Sequence, residues 1–207
     1  MEKNYPGVFI VLEGPDKSGK STQAQAIIRR LNKMGKTTVW TREPGGTPLA
    51  EAVRAALLNP VNTVDPMAEL LLYEASRAQH VAEKILPALK EGKVVLCERF
   101  TMSTAAYQGY GRGLSLKTID RLNAIATGGL KPDLTLVFDI PEKQFQERSR
   151  KKPHDRLEME APEFRARVRQ GYRELSKITP GAVKINAEKP LLEVRQAIFK
   201  AIDRKVK

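Results

Sequence analysis

The stretch "LEGPDKSGKST", Leu12 to Thr22, constrains the fold of this 207-residue chain more than any other segment. It follows a β-branched apolar run, Val8 to Leu12, and precedes a helix-like segment that begins at Lys20. Gly14, four residues, then Gly19, Lys20 and Ser21 form the frame of a phosphate-cradling loop between a strand and a helix. Glycines let successive backbone N–H groups converge on phosphate oxygens, and the following helix adds its positive N-terminal end. The nucleotide-binding candidates are therefore Gly14, Pro15, Asp16, Lys17, Ser18, Gly19, Lys20, Ser21 and Thr22. Lys20 has the position that reaches β- and γ-phosphates, and the Ser21 hydroxyl the position that ligates Mg²⁺. This implies ATP or GTP. It does not separate a kinase from a motor or a switch. A second lysine, Lys17, stands inside the cradle.

Strand-like and helix-like segments alternate after the loop. Strands are expected at Val8–Glu13, Thr37–Thr41, Val94–Cys97, Leu134–Ile140 and Val183–Asn186. Helices are expected at Lys20–Lys33, Leu49–Leu58, Pro66–Leu89, Ser115–Thr127, Glu142–Lys151, Glu160–Ser176 and Pro190–Lys205. On the long Pro66–Leu89 helix, Met67, Leu71, Ala78, Val81, Ile85 and Leu89 recur at helical spacing and predict one apolar stripe. The alternation predicts an α/β fold: a doubly wound, five-stranded parallel sheet flanked by helices, of the P-loop NTP hydrolase type. Ligands in such sheets bind beyond the carboxyl ends of the strands. Glu13, Arg42, Glu98 and Arg99 fall there.

Composition narrows the rest. With no repeat and no long polar linker, residues 1–207 read as a single domain. No apolar run approaches the ~18 residues of a membrane span, and no signal peptide is expected ahead of the first strand. The single cysteine, Cys97, precludes an internal disulfide. A cytoplasmic protein without membrane attachment is expected. The net charge of +12 leaves two options, a polyanion partner or small phosphorylated ligands. Aromatic content is only 6%, which argues against an open stacking surface and hence against nucleic acid.

A kinase must also hold an anionic acceptor. Arg42 in "TREPGG" and Arg99 in "CERF" stand at strand ends, where planar guanidinium forks suit a phosphate. Glu98 is placed to hold Mg²⁺ or its waters. Tyr73 and Arg77, four apart, share one helix face, either as a base site or as ordinary helix-edge packing.

Taken in order, "LEGPDKSGKSTQ", "TREPGGTPLAE", "LLLYEASRAQHV", "ERFTMSTAAYQG", "PDLTLVFDIP" and "DRLE" resemble the thymidylate kinase family over Val8 to Lys205. The resemblance implies ATP- and Mg²⁺-dependent phosphorylation of dTMP to dTDP, and a homodimer. It implies that Tyr73 stacks on thymine, Arg77 donates to a thymine carbonyl, and Arg42 and Arg99 grip the dTMP phosphate. Ser103 and Thr104 would sit beside the base, with Gln108 nearby. Tyr107 would exclude a 2′-hydroxyl, and Asp16 would act near the sugar and the transferred phosphate. "RSRKKPHDRLE", residues 148–158, matches the small mobile lid, with Arg148, Arg150 and Arg156 as catalytic cations beside Lys17, Lys20, Asp16 and Arg99. Asn186 would edge the adenine pocket. The chain departs from the family pattern at Glu98, where many members have Asp, at Tyr73, where Phe is more usual, and at Lys17, where Gly or Arg is usual. Cations thus occur in both loop and lid, and which dominates stays open. The nearest rival is a kinase of the same fold acting on dUMP.

Overall fold

The computed structural model describes residues 5–149 and 155–206. Its five strands are β1 (Val8–Glu13), β2 (Thr38–Arg42), β3 (Val94–Glu98), β4 (Leu134–Asp139) and β5 (Ala182–Asn186). They form one parallel sheet in the order β2-β3-β1-β4-β5. The central strand β1 carries the loop, so the cradle lies at the middle of the sheet's carboxyl edge.

Alternation along the strands sends side chains to two faces. Ile10, Leu12 and Leu96 pack with Ile27 and Leu31 of α1 (Lys20–Lys33) and with Ile198 and Ile202 of α9 (Leu191–Asp203). Phe9, Val11, Val95 and Cys97 face the other way, onto Val81, Ile85 and Leu89. Fully burying one such aliphatic side chain stabilises by roughly 1.5–3 kcal/mol. Both faces being covered explains why β1 and β3 read as unbroken apolar runs.

The remaining helices are α2 (Pro48–Leu58), α3 (Pro66–His80), α4 (Leu86–Lys90), α5 (Thr101–Thr104), α6 (Leu116–Thr127), α7 (Glu142–Ser149) and α8 (Pro162–Ile178). Asp65 caps α3 by accepting from the Met67 and Ala68 N–H groups, with Pro66 in the first turn. Between α3 and α4 the helix passes through a π-helical turn, Val81–Ile85.

That turn overturns the expected single stripe. One wide turn adds a residue and rotates the downstream helix by about 100°. Val81, Ile85 and Leu89 are core, but Met67 and Leu71 are exposed, and so is Ala78. The buried side of α3 carries Glu69, Leu70, Glu74, Arg77 and His80. A second correction lies at α5 and the π-helical Ala105–Gly111 that continues it. No helix is expected there from sequence, because two glycines and five hydroxyl residues blur the apolar period. Fully buried Glu13 organises its start, accepting from the Phe100 N–H at 2.8 Å and the Ser103 N–H at 3.2 Å. Among the described residues, no helix is long and apolar enough to cross a membrane.

Candidate active site

Helix α1 starts at Gly19, whose φ of 94° is left-handed, and no side chain caps it. Its first N–H groups therefore point into the loop, as anion binding requires. Gly14, at φ 130°, is the other fixed point: a Cβ there would lie 2.4 Å from the Phe138 carbonyl oxygen. Lys17 and Arg99 are the two non-glycine residues in the left-handed region among those described, at φ 58° and 69°. Such backbone costs of order 1–3 kcal/mol and collects at functional sites.

Lys20 is buried and folds back on its own loop, donating to the carbonyl oxygens of Gly14 at 2.9 Å and Pro15 at 2.8 Å. Burial and the neighbouring Arg99 guanidinium push its ammonium down to about 7. The Ser21 hydroxyl donates to Glu98 Oε2 at 2.6 Å, and Trp40 Nε1 donates to Glu98 Oε1 at 3.0 Å. A hydroxyl and a carboxylate side by side at the loop's helical end are hard oxygen donors of the kind Mg²⁺ takes, so the residues present fit that ion.

Arg99 is the most heavily engaged cation. Its Nη1 donates to Gly14 O, Ser103 Oγ and Tyr172 OH, at 3.1, 3.2 and 2.9 Å. Its Nη2 donates to Asp16 Oδ1 at 2.5 Å and Tyr107 OH at 3.1 Å. Tyr107 in turn donates to Asp16 Oδ2 at 2.8 Å. Burial opposes the charge on Asp16, yet the Arg99 guanidinium holds its carboxyl well below the usual carboxylate range. Ser103 donates to Glu13 at 2.6 Å, so its hydroxyl belongs to the arginine's support.

Two cavities meet at this point. The larger, about 590 Å³, is lined by the loop, Arg42, Glu98, Arg148 and Glu158. The smaller, about 60 Å³, is lined by Tyr73, Arg77, Thr104, Tyr107 and Gln108. Asp16, Glu43, Arg54 and Arg99 line both. Arg77 is only 2% exposed and donates to Glu43 at 2.8 Å, Glu74 at 2.7 Å, Thr104 at 2.9 Å, Asn123 at 2.8 Å and the Phe100 carbonyl at 3.1 Å. Glu43 also meets His80 Nδ1 at 3.0 Å, whose Nε2 bonds Thr41 at 2.7 Å. Gly46 closes over that pair; a Cβ there would lie 2.6 Å from His80 Nε2.

The expected lid residues divide. Arg150 lies outside the described residues. Arg148 donates to the backbone oxygens of Lys17 at 3.0 Å and Ala187 at 3.3 Å, beside the larger cavity. Arg156 is placed elsewhere: it donates to Leu57 O at 2.8 Å and to buried Glu69 at 2.5 Å, away from the loop. Lys17 pairs with Glu158 at 2.6 Å. Arg42 is exposed and pairs with Glu51 at 2.9 Å. The Asn186 side chain accepts from the Glu188 N–H, holding the turn after β5.

Several residues at the site were not singled out from sequence. Arg54 and Tyr172 look like ordinary members of α2 and α8, and nothing local marks them. Glu43 and Glu158 lie inside quoted motifs, but no spacing gives their partners.

A polyphosphate cradle that shares a wall with a second, arginine-lined cavity makes the molecule a two-substrate kinase of the phosphate-loop class. The family model described as thymidylate kinase matches residues 12–198. A thymidylate kinase of Pelotomaculum thermopropionicum is 48% identical over 205 residues, 95% of each chain. One of Pseudomonas fluorescens is 50% identical over 195 residues, 93% of each. The crystal structure of thymidylate kinase from Ehrlichia chaffeensis superposes with a TM-score of 0.79 at 33% identity, covering 95% of this chain and all of that one. The chain belongs to the thymidylate kinase family.

Proposed function

We propose that the chain transfers the γ-phosphoryl group of ATP to dTMP, giving dTDP, with ATP along the larger cavity and dTMP in the smaller. The observation that carries this is the junction: Asp16, Arg54 and Arg99 line both cavities, where donor and acceptor phosphates would meet. In-line phosphoryl transfer asks little covalent chemistry of side chains and much positioning and charge compensation. Lys20 and the helix end hold the donor phosphates, joined by Arg148 and Lys17. Ser21 and Glu98 would hold Mg²⁺, which when bound neutralises charge on the donor phosphates. Arg99, fixed by its hydrogen bonds, and Arg42 and Arg54 take the acceptor phosphate. Tyr73 stacks on the base, and Arg77 and Thr104 reach its polar edge. Tyr107 packs where a 2′-hydroxyl would stand. The assignment includes a homodimer joined through the exposed Met67, Leu71 and Ala78 of α3, an apolar patch that water would otherwise meet.

ADP release measured with dTMP, dUMP, dCMP and dGMP at equal concentration tests the assignment. dTMP is expected to rank first and to need Mg²⁺. A different acceptor ranking first overturns it.

A further inference from the structure

Glu69 of α3 is fully buried, and its carboxylate collects four hydrogen bonds. Gln108 Nε2 donates at 2.8 Å, Arg112 Nε and Nη2 at 3.2 and 3.0 Å, and Arg156 Nη2 at 2.5 Å. Arg112 is itself held by Glu160 at 2.6 Å, and Arg156 by the Leu57 carbonyl at 2.8 Å. An ionised carboxylate only accepts. Burial alone would raise the Glu69 pKa, but hydrogen bonds from Arg112 and Gln108 bring it below the usual range.

The amide of Gln108 therefore has one orientation. Turning its oxygen toward Glu69 would set two acceptors against each other in a buried place, at the full cost of an unmade hydrogen bond. Gln108 is 1% exposed and lines the smaller cavity beside Arg77 and Thr104. With the nitrogen held by Glu69, the group it keeps for a ligand is the carbonyl oxygen. Arg77, a pure donor, lines the same cavity. The cavity's polar edge is thus one donor and one acceptor in fixed order. Thymine, with a carbonyl next to N3–H, complements that order. Cytosine, with an amino group next to a bare N3, inverts it at both positions.

We propose that Glu69 sets the base specificity of the acceptor site. It is a positioning residue that fixes Gln108 as an acceptor and so selects a pyrimidine bearing N3–H over cytosine. This depends on the smaller cavity being the acceptor-base site proposed above.

The test is kcat/KM for dTMP and dCMP in the wild-type protein, Glu69→Gln and Glu69→Asp. In Glu69→Gln the two arginines hold the new amide's oxygen and turn its nitrogen toward Gln108. Gln108 then turns over and offers its nitrogen to the cavity. The dTMP to dCMP ratio is expected to fall at least about tenfold, through KM for the nucleotide, with KM for ATP unchanged. Glu69→Asp keeps the charge and is expected to keep the ratio within about threefold of wild type. An unchanged ratio in folded Glu69→Gln overturns the proposal and leaves the kinase assignment standing. A wild-type preference for dCMP defeats both. Should Glu69→Gln fail to fold, NMR of the wild-type protein with dTMP decides. A through-hydrogen-bond coupling between thymine N3–H and the Gln108 side-chain carbonyl supports the proposal, and its absence overturns it.

Discussion

Arg77→Met is the most informative single change to the acceptor side. The arginine's five hydrogen bonds include two to buried carboxylates, Glu43 and Glu74. Methionine keeps the aliphatic volume and removes the charge. Glu43 retains His80 as a partner. Glu74 retains little, since its Oε2 has no partner even with Arg77 in place. Removing one member of a buried ion pair costs about 3–5 kcal/mol. For a domain of this size that is a fall in Tm of roughly 6–20 °C. The pH dependence has a definite sign. Burial already raises the Glu74 pKa, and without Arg77 it rises further. A carboxylate with a raised folded pKa favours the folded state when protonated, so the variant's deficit shrinks as pH falls from about 8 to 5. Glu74→Gln added to Arg77→Met is expected to recover about 1–2 kcal/mol. Urea denaturation at several pH values measures all three. A deficit under about 1 kcal/mol at neutral pH, or one that grows on acidification, would mean that Arg77 does not hold Glu74 as a buried ion pair.

Three further outcomes concern the donor side and the sugar pocket. Burial and Arg99 push the Lys20 ammonium down to about 7, and bound phosphates favour its proton, so ATP affinity should decline as pH rises above 7. Calorimetry in buffers of different ionisation enthalpy should register more proton uptake per ATP at pH 8 than at pH 6; no uptake at pH 8 contradicts the placement of Lys20. Lys17→Gly suits the left-handed backbone and should lower kcat roughly tenfold, whereas a loss of several thousandfold would rank Lys17 above the lid arginines. Tyr107→Ala should relax the deoxyribose preference at least about tenfold with ATP affinity unchanged, while Tyr107→Phe keeps it; an unaltered preference in the alanine variant removes the assigned role.

The sheet and the loop were legible in the sequence because their signals are local. Apolar runs, glycine stops and the phosphate-loop spacing each lie within about a dozen residues. Strand ends bring Arg42, Glu98 and Arg99 to the wall of one cavity, since a parallel sheet gathers its carboxyl ends. The α3 stripe misled because periodicity cannot sense a π-helical turn, and the buried side proved to be the charged one. Arg156 misled for another reason. A basic run reads as one unit, yet its partner Glu69 lies 87 residues away in sequence, and only tertiary packing pairs them. The same holds for Tyr172 on Arg99 and for Glu69 on Gln108, where the informative atom is the far end of a side chain.

In the proposed reaction, phosphate passes from ATP to dTMP across the junction of the two cavities. Incubating the protein with γ-labelled ATP, Mg²⁺ and dTMP, then separating the products, tests it directly. The label is expected in dTDP, formed in proportion to ADP, and lost on Arg99→Ala. Label released as free phosphate, or ADP formed at the same rate without dTMP, would contradict it.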